Sequence, residues 1–248
     1  MNTYGIIGYP LTHSFSPDYF AQKFVREKLQ QAVYKKFEIE SIELLPKVIQ
    51  KQPGLKGLNV TIPYKESIIP FLHALDETAQ QVGAVNTIKV SVQKNGKKKL
   101  EGYNTDVYGF EKSLSKHISK KPAHALVLGT GGASKAVVYV LKKMKIPFEL
   151  ISREKKPNCL SYADLNEAYV EQNKLIINTT PVGMYPHVKD FPPIPYGGIK
   201  KGHLLFDLIY NPGESMFLKL GKQEGAQAVN GLEMLVYQAE KSWKIWNM

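Results

Sequence analysis

The rhythm of apolar and polar positions changes about halfway along the chain. In the first half, short apolar stretches are set apart by polar turns. Residues 4–8 read as a buried strand, and 33–39 and 57–61 as further strands. Ser16, Pro17 and Asp18 form a helix start, with Ser16 as N-cap and Phe20, Phe24 and Val25 as the apolar face. Pro63 opens a short helical turn carrying Lys65, and residues 76–82 form a helix stopped at Gly83. Ile88, Val90 and Val92 alternate, and Asn95-Gly96 turns the chain back toward Leu100 as a hairpin. Asn104 or Thr105 caps a helix running through Phe110 and Leu114. Beyond Lys120-Lys121-Pro122, apolar strands at 125–129, 148–152, 175–179 and 204–209 alternate with helical stretches such as 133–143. That alternation predicts a parallel sheet built from βαβ units. A last helix, about 232–246, sets Leu232, Leu235, Val236, Ala239, Trp243 and Trp246 near one face.

The chain has 248 residues, enough for one large domain or two modest ones. At 43% hydrophobic and 22% charged it has the composition of an ordinary globular protein. Its single cysteine, Cys159, excludes an intrachain disulfide and fits a reducing compartment. No signal peptide opens the chain and no apolar run spans a membrane, so the expected location is the cytoplasm. The net charge of +11 fits either an anionic partner or a lysine-rich solvated surface. Lys97, Lys98 and Lys99 beside Asn95-Gly96 belong to the second case, as an exposed hairpin tip. No nucleic-acid motif is present, and the six histidines lack metal-ligand spacing.

Candidate chemistry gathers in three places. Lys65 closes a run from Asn59, and Asp106 closes Gly102-Tyr103-Asn104-Thr105-Asp106, both crowded with small polar side chains suited to hydroxyl recognition. A lysine and a carboxylate near a hydride donor form a plausible pair for alcohol/ketone interconversion. The third place is the turn Gly129-Thr130-Gly131-Gly132-Ala133-Ser134, which follows a strand and opens a helix. Gly129 permits the tight turn, and Gly131 lets the backbone approach a pyrophosphate held at the helix start. Ser134 stands where the third glycine of the dinucleotide fingerprint belongs. The next strand ends in Ser152-Arg153-Glu154-Lys155-Lys156. That cluster suits a 2′-phosphate, hence NADP, although Glu154 could face the ribose instead.

Taken together, these runs resemble the shikimate dehydrogenase family over nearly the whole chain. The pieces stand in the family's order: His13 to Pro17, Asn59 to Lys65, Gly83 to Thr87, Gly102 to Asp106, Gly129 to Ala133, Asn178 to Thr180, Asp207 to Pro212, and Gly231 to Gln238. The resemblance implies reversible NADPH-dependent reduction of 3-dehydroshikimate to shikimate. It implies an α/β protein of two domains: a substrate domain of residues 1–103 plus 231–248, and a Rossmann-like doubly wound NADP domain of residues 104–230. The C-terminal helix would return to the first domain, with substrate in the cleft between the two. It assigns catalysis to Lys65 and Asp106, and substrate contacts to Ser14, Ser16, Thr61, Asn86, Asp106, Tyr210 and Gln238. It assigns the cofactor to Gly129, Gly131, Gly132, Ala133, Ser152, Arg153, Thr179, Ile209 and Gly231, with no metal. The protein would act on a small molecule as a monomer or homodimer, without nucleic acid or membrane.

Residue by residue, plainer roles stand beside these. Ser16 can cap a helix, Asn86 can satisfy backbone groups at a strand end, and Asp106 can serve as a helix N-terminal charge. Quinate/shikimate dehydrogenases share the scaffold, and serine at both 14 and 16 leans toward shikimate. Three departures from the family pattern are evident, one of them Glu154, which stands where the family usually has a small hydroxyl residue. The segment between Arg153 and Asn178 is short, which predicts that the helix after the second strand of the NADP domain is missing or reduced to a loop. Glu233 is larger and more charged than expected beside Met234.

Overall fold

The computed structural model of the protein describes residues 1–12 and 14–248; His13, which begins the first motif, lies outside the described residues. The chain forms two compact units, Met1–Thr105 with Ala239–Met248, and Asp106–Gln238.

The first unit is built on a six-stranded mixed sheet. Its elements run β1 (Asn2–Gly8), α1 (Phe15–Arg26), β2 (Ala32–Glu38), α2 (Leu45–Gln50), β3 (Leu55–Val60), β4 (Ala74–Leu75), α3 (Glu77–Val82), β5 (Thr87–Val92) and β6 (Lys98–Tyr103). The strand order is β2-β1-β3-β5-β6-β4. β1 pairs in parallel with β2 and β3, and β5 and β6 add as an antiparallel hairpin. An inner strand covered on both faces needs a near-continuous apolar run, and six of the seven β1 residues are buried.

α1 begins two residues earlier than its sequence predicts. Ser14, extended at φ −76° and ψ 128°, is the N-cap rather than Ser16, and Ser16 is buried in the first helical turn. Pro17 is tolerated there because first-turn N–H groups have no intrahelical partner. Phe20 and Phe24 are buried as expected, but Val25 is 80% exposed. Lys23 takes the inward position instead, and its ammonium meets Glu240 at 2.9 Å and Glu27 at 2.7 Å. At α3 the sequence signals hold: Asp76 accepts from Ala79 N at 2.9 Å, and Gly83 ends the helix in the left-handed region. Lys65 sits on consecutive hydrogen-bonded turns (Tyr64 N to Thr61 O, Ile68 N to Tyr64 O) rather than on a helix.

The second unit carries a fully parallel sheet. Its elements are α4 (Thr105–His117), β7 (Ala125–Leu128), α5 (Gly132–Lys143), β8 (Phe148–Ser152), β9 (Leu160–Ser161), α6 (Glu167–Gln172), β10 (Leu175–Asn178), β11 (Leu204–Asp207), α7 (Met216–Gln223), β12 (Gln227–Val229) and α8 (Leu232–Trp246). The order β12-β11-β10-β7-β8-β9 is that of a doubly wound dinucleotide-binding sheet. Every residue of β7, β10 and β11 is buried. α4 and α8 pass from one unit to the other along the chain: Asp106 and Gln238 belong to the second unit, Thr105 and Ala239 to the first.

The shortened segment is as the sequence predicts. After β8, residues 153–159 form a loop that leads straight into β9, and the single α-helix before β10 is the six-residue α6. The face of α8 differs from the periodic expectation. Met234, Gln238, Ala239, Ser242, Ile245 and Trp246 are buried, whereas Leu232 is 44% exposed and Leu235 and Val236 are half-buried. Two polar residues therefore lie in the buried stripe, where a purely apolar pattern does not place them. Glu233 has partners on α4: Ser113 donates to it at 3.1 Å and Lys116 at 2.5 Å, and these contacts hold its carboxyl below the usual range. Among the described residues no helix is long and apolar enough to cross a membrane.

Candidate functional site

In the first unit the candidate substrate residues stand at the ends of β1, β3 and β5 and at the start of α1. Ser14 is half-buried at the N-cap and Ser16 is buried one turn in, where the helix dipole favours an anion. Ser16 lies beside the Tyr34 phenol and opposes the rise in its pKa. That phenol donates to Asn59 Oδ1 at 2.7 Å, and burial raises its pKa, so it stays a neutral donor. Thr61 follows β3, held by its N–H to Ile7 O at 2.9 Å. Lys65 is half-buried, and its carbonyl accepts from Val85 N at 2.7 Å, which ties the turn to the strand entering Asn86.

Asn86 is buried, and its orientation is fixed by the chain itself. Its Oδ1 accepts from Thr105 N at 2.7 Å and its Nδ2 donates to Thr105 Oγ1 at 3.0 Å. A backbone N–H can only donate, so the amide can face only one way. The plain role of satisfying a backbone group at the strand end therefore holds at this residue. Thr87, Thr105, Asn59 and Ser242 complete a buried polar cluster around it, which the sequence reading did not single out. Asn59 and Thr105 lay inside motifs already noted, whereas the only signal for Ser242 was its position one helical turn beyond Gln238.

In the second unit, Asp106 is buried in the first turn of α4. α4 packs closely on α8 at Gly109, where a Cβ would come within 2.5 Å of Met234 O and 3.2 Å of Gln238 Cβ. That close approach sets Gln238, buried on α8, beside the turn after Asp106. Gln238 Nε2 donates to Leu235 O at 3.0 Å. Tyr210 is half-buried in the segment after β11.

The glycine turn lies where the strand order reverses, between β7 and β10, the position at which open parallel sheets bind nucleotides. Gly129 has φ +102°, and a Cβ there would meet Thr180 Cγ2 at 2.8 Å and Thr179 Oγ1 at 2.9 Å. Thr179 is pinned to the same turn, donating from N and Oγ1 to Leu128 O at 2.9 and 2.7 Å. Gly131 is different. Its φ of −85° suits any residue, and no protein atom lies within 4 Å of a Cβ built on it. Packing does not require this glycine, but a pyrophosphate approaching the start of α5, where Gly132 and Ala133 follow, would. Ser134 takes the third glycine's place because its hydroxyl turns back to Gly131 O at 2.6 Å and its side chain packs buried. The residues present therefore fit a dinucleotide.

Ser152 is buried at the end of β8, and Arg153, Glu154, Lys155 and Lys156 follow it into solvent. Lys156 Nζ reaches Thr130 Oγ1 at 3.2 Å, so the shortened loop folds back onto the glycine turn. Across the switch point, Asp207 is fully buried and gathers Asn178 Nδ2, Ile209 N and Ser215 Oγ. Burial pushes its carboxyl up to about 6, with the three hydrogen bonds opposing that rise. Asn178 in turn accepts from Thr180 N and Oγ1, and Gly231 N donates to Ile209 O at 2.9 Å. Thr180, Ile209 and Gly231 thus share one hydrogen-bonded frame with Asn178 and Asp207, while Thr179 is held separately by Leu128 O. Among the described residues no group of His, Cys, Asp and Glu could hold a metal ion.

Comparison with known proteins agrees with this geometry. Residues 6–88 match the family model described as the shikimate dehydrogenase substrate binding domain. A shikimate dehydrogenase (NADP(+)) of Methanococcus aeolicus is 40% identical over 98% of this chain and 90% of its own length. One of Aquifex aeolicus is 41% identical over the same shares. Among solved structures, Thermus thermophilus shikimate 5-dehydrogenase in complex with NADP(H) and shikimate is similar with a TM-score of 0.84 at 29% identity. That similarity covers 99% of this chain and 93% of that one.

Proposed function

The chain belongs to the shikimate dehydrogenase family, and from that premise we infer that it catalyses reversible NADPH-dependent reduction of 3-dehydroshikimate to shikimate. The observation that carries the reading is the glycine turn at the switch point, open above Gly131 at the start of α5. Residues 104–230, with Gly231 directly after them, take NADP, through Gly129, Gly131, Gly132, Ala133, Thr179, Ile209 and Gly231. Ser152 and Arg153 receive the 2′-phosphate end, with Lys155 and Lys156 adding charge. Residues 1–103 plus 231–248 take the substrate. Ser14 and Ser16 hold its carboxylate at the positive end of α1. Thr61, Asn86, Asp106, Tyr210 and Gln238 hold its ring hydroxyls.

Bound NADPH supplies the hydride to the carbonyl carbon. Lys65 hydrogen-bonds the developing alkoxide and delivers the proton, directly or by relay. Asp106 orients Lys65 and the neighbouring hydroxyl. The enzyme acts on a small molecule in the cytoplasm as a monomer or homodimer, without nucleic acid or membrane.

The test follows NADPH absorbance with purified protein, shikimate, and NADP⁺ or NAD⁺ in parallel. NADP⁺-dependent reduction is the expected result. Turnover with NAD⁺ alone would overturn the cofactor assignment. No turnover with either, in folded protein, would overturn the activity and turn attention to quinate or to a ligand-sensing role.

A further inference from the structure

The buried polar cluster of the first unit is centred on a residue that belongs to none of the motifs but meets three of them. Ser242 Oγ, on the part of α8 belonging to that unit, accepts from Asn59 Nδ2 at 3.1 Å. It also lies 2.7 Å from Thr87 Oγ1 and 3.1 Å from Thr105 Oγ1. Thr87 donates to Asn86 Oδ1 at 3.2 Å, and Asn86 Nδ2 donates to Thr105 Oγ1 at 3.0 Å. When Ser242 donates to Thr87 and accepts from Thr105, the four side chains close a ring in which each donates to the next. On its other side, Asn59 accepts from the Tyr34 phenol, which lies beside Ser16. All seven residues fall in one compact unit, and Thr87 and Ser242 have no exposed surface.

A buried polar ring opposes burial of apolar area and is stable only when its members are satisfied together. An apolar residue at 242 would fill this helix position as well as alanine fills 239. The hydroxyl therefore contributes something other than packing. One end of the hydrogen-bond chain is Asn86 and the other is Tyr34 beside Ser16, and both Asn86 and Ser16 are proposed to hold substrate.

We propose that Ser242 is a positioning residue of the substrate site, setting the Asn86 amide through Thr87 and Thr105 and the Ser16 hydroxyl through Asn59 and Tyr34. The proposal rests on the dehydrogenase reading. Asn86 is the principal target, because Thr105 and Thr87 together meet both ends of its amide. Loss of Ser242 leaves the Thr87 and Thr105 hydroxyls to rearrange, so the amide, still faced one way by Thr105 N, loses the side-chain restraint on its position.

The experiment is steady-state kinetics of the full chain with shikimate and NADP⁺ for wild type, Ser242→Ala, Asn86→Ala and the double variant. Ser242→Cys covers the case in which Ser242→Ala fails to fold, and Ile245→Val serves as a packing control on the same helix. Ser242→Ala is expected to raise the KM for shikimate about tenfold, the scale of one buried hydrogen bond, with the KM for NADP⁺ unchanged. In the Asn86→Ala background it should add less than threefold, because the pair acts as one unit. Ile245→Val should leave both constants in place. An unchanged shikimate KM in Ser242→Ala, or equal effects in both backgrounds, would overturn the proposal while leaving the dehydrogenase reading intact. An inactive, folded wild type would overturn both.

Discussion

Lys65→Ala is the sharpest test at the scale of single residues. If Lys65 supplies the proton, its removal should lower kcat by roughly 10²–10⁴-fold, the usual contribution of a positioned acid or base. Near wild-type turnover would remove Lys65 from the chemistry. Asp207 makes a prediction of a different kind. Its carboxyl titrates at about 6 in the folded protein against an ordinary 3.8, because burial penalises the charged form more than three hydrogen bonds restore. A folded-state value above the unfolded one means the native state binds the proton more tightly. The stabilisation is complete below the unfolded value and is lost as pH rises through about 6. Asp207→Asn retains an acceptor for Ile209 N and removes that titration. Between about pH 4 and 7, wild-type stability should fall relative to Asp207→Asn by up to roughly 3 kcal/mol. Urea unfolding of both proteins across that range would show it, and parallel curves would refute the assignment.

Among the elements, the shortened crossover has the clearest consequence. With a seven-residue loop at 153–159 in place of a helix, the charges proposed to meet the 2′-phosphate come from that loop, and Lys156 is tethered to Thr130. Arg153→Ala combined with Lys156→Ala should raise the KM for NADP⁺ by about tenfold or more, as two charge-assisted contacts are lost. The KM for NAD⁺ should barely move, since NAD⁺ lacks the 2′-phosphate. Equal changes with both cofactors would place these side chains elsewhere. The missing helix was legible because residue count alone limits a crossover. The strands at 125–128, 148–152, 175–178 and 204–207 were legible because strands of a doubly covered parallel sheet must be apolar throughout. What the pattern could not resolve were positions where polar groups are buried with partners. Lys23 displaced Val25 from the inner face of α1 because Glu240 and Glu27 neutralise it. Ser242 and Gln238 broke the apolar stripe of α8 for the same kind of reason. A hydropathy pattern records the cost of burying such groups but not the partner that offsets it. The short α6 and α7 and the three-residue β12 escaped notice because so few residues carry little periodic signal.

At the scale of the molecule, the first unit is discontinuous in sequence, so its stability depends on the last ten residues of the chain. Trp243 and Trp246 join Tyr4, Phe20, Phe24 and Tyr34 in one aromatic cluster, with Phe20 stacked on Tyr34 at 4.6 Å. Trp246 Nε1 donates to Ile88 O at 3.0 Å, and Glu240 receives both Lys23 and the Tyr19 hydroxyl. A chain ending at Gln238 would expose these rings, orphan the buried Lys23 head from Glu240 and remove Ser242 from the polar ring. Each large side chain uncovered costs about 1.5–3 kcal/mol, and Lys23 is left with Glu27 as its carboxylate partner. Those losses together reach the whole stability of an ordinary domain, about 5–15 kcal/mol. The second unit loses none of its sheet, glycine turn or Asp207 frame by the same cut. The truncated protein is therefore expected to lose shikimate turnover and the cooperative unfolding of residues 1–105, while a transition from residues 106–238 persists and is raised by added NADP⁺. Hydrogen exchange with and without NADP⁺ would follow the two units separately. Retained protection in β1, β3 and β5 after truncation would show that the C-terminal helix is dispensable to the first unit. Loss of protection in β7, β10 and β11 as well would show that the second unit does not fold without the first.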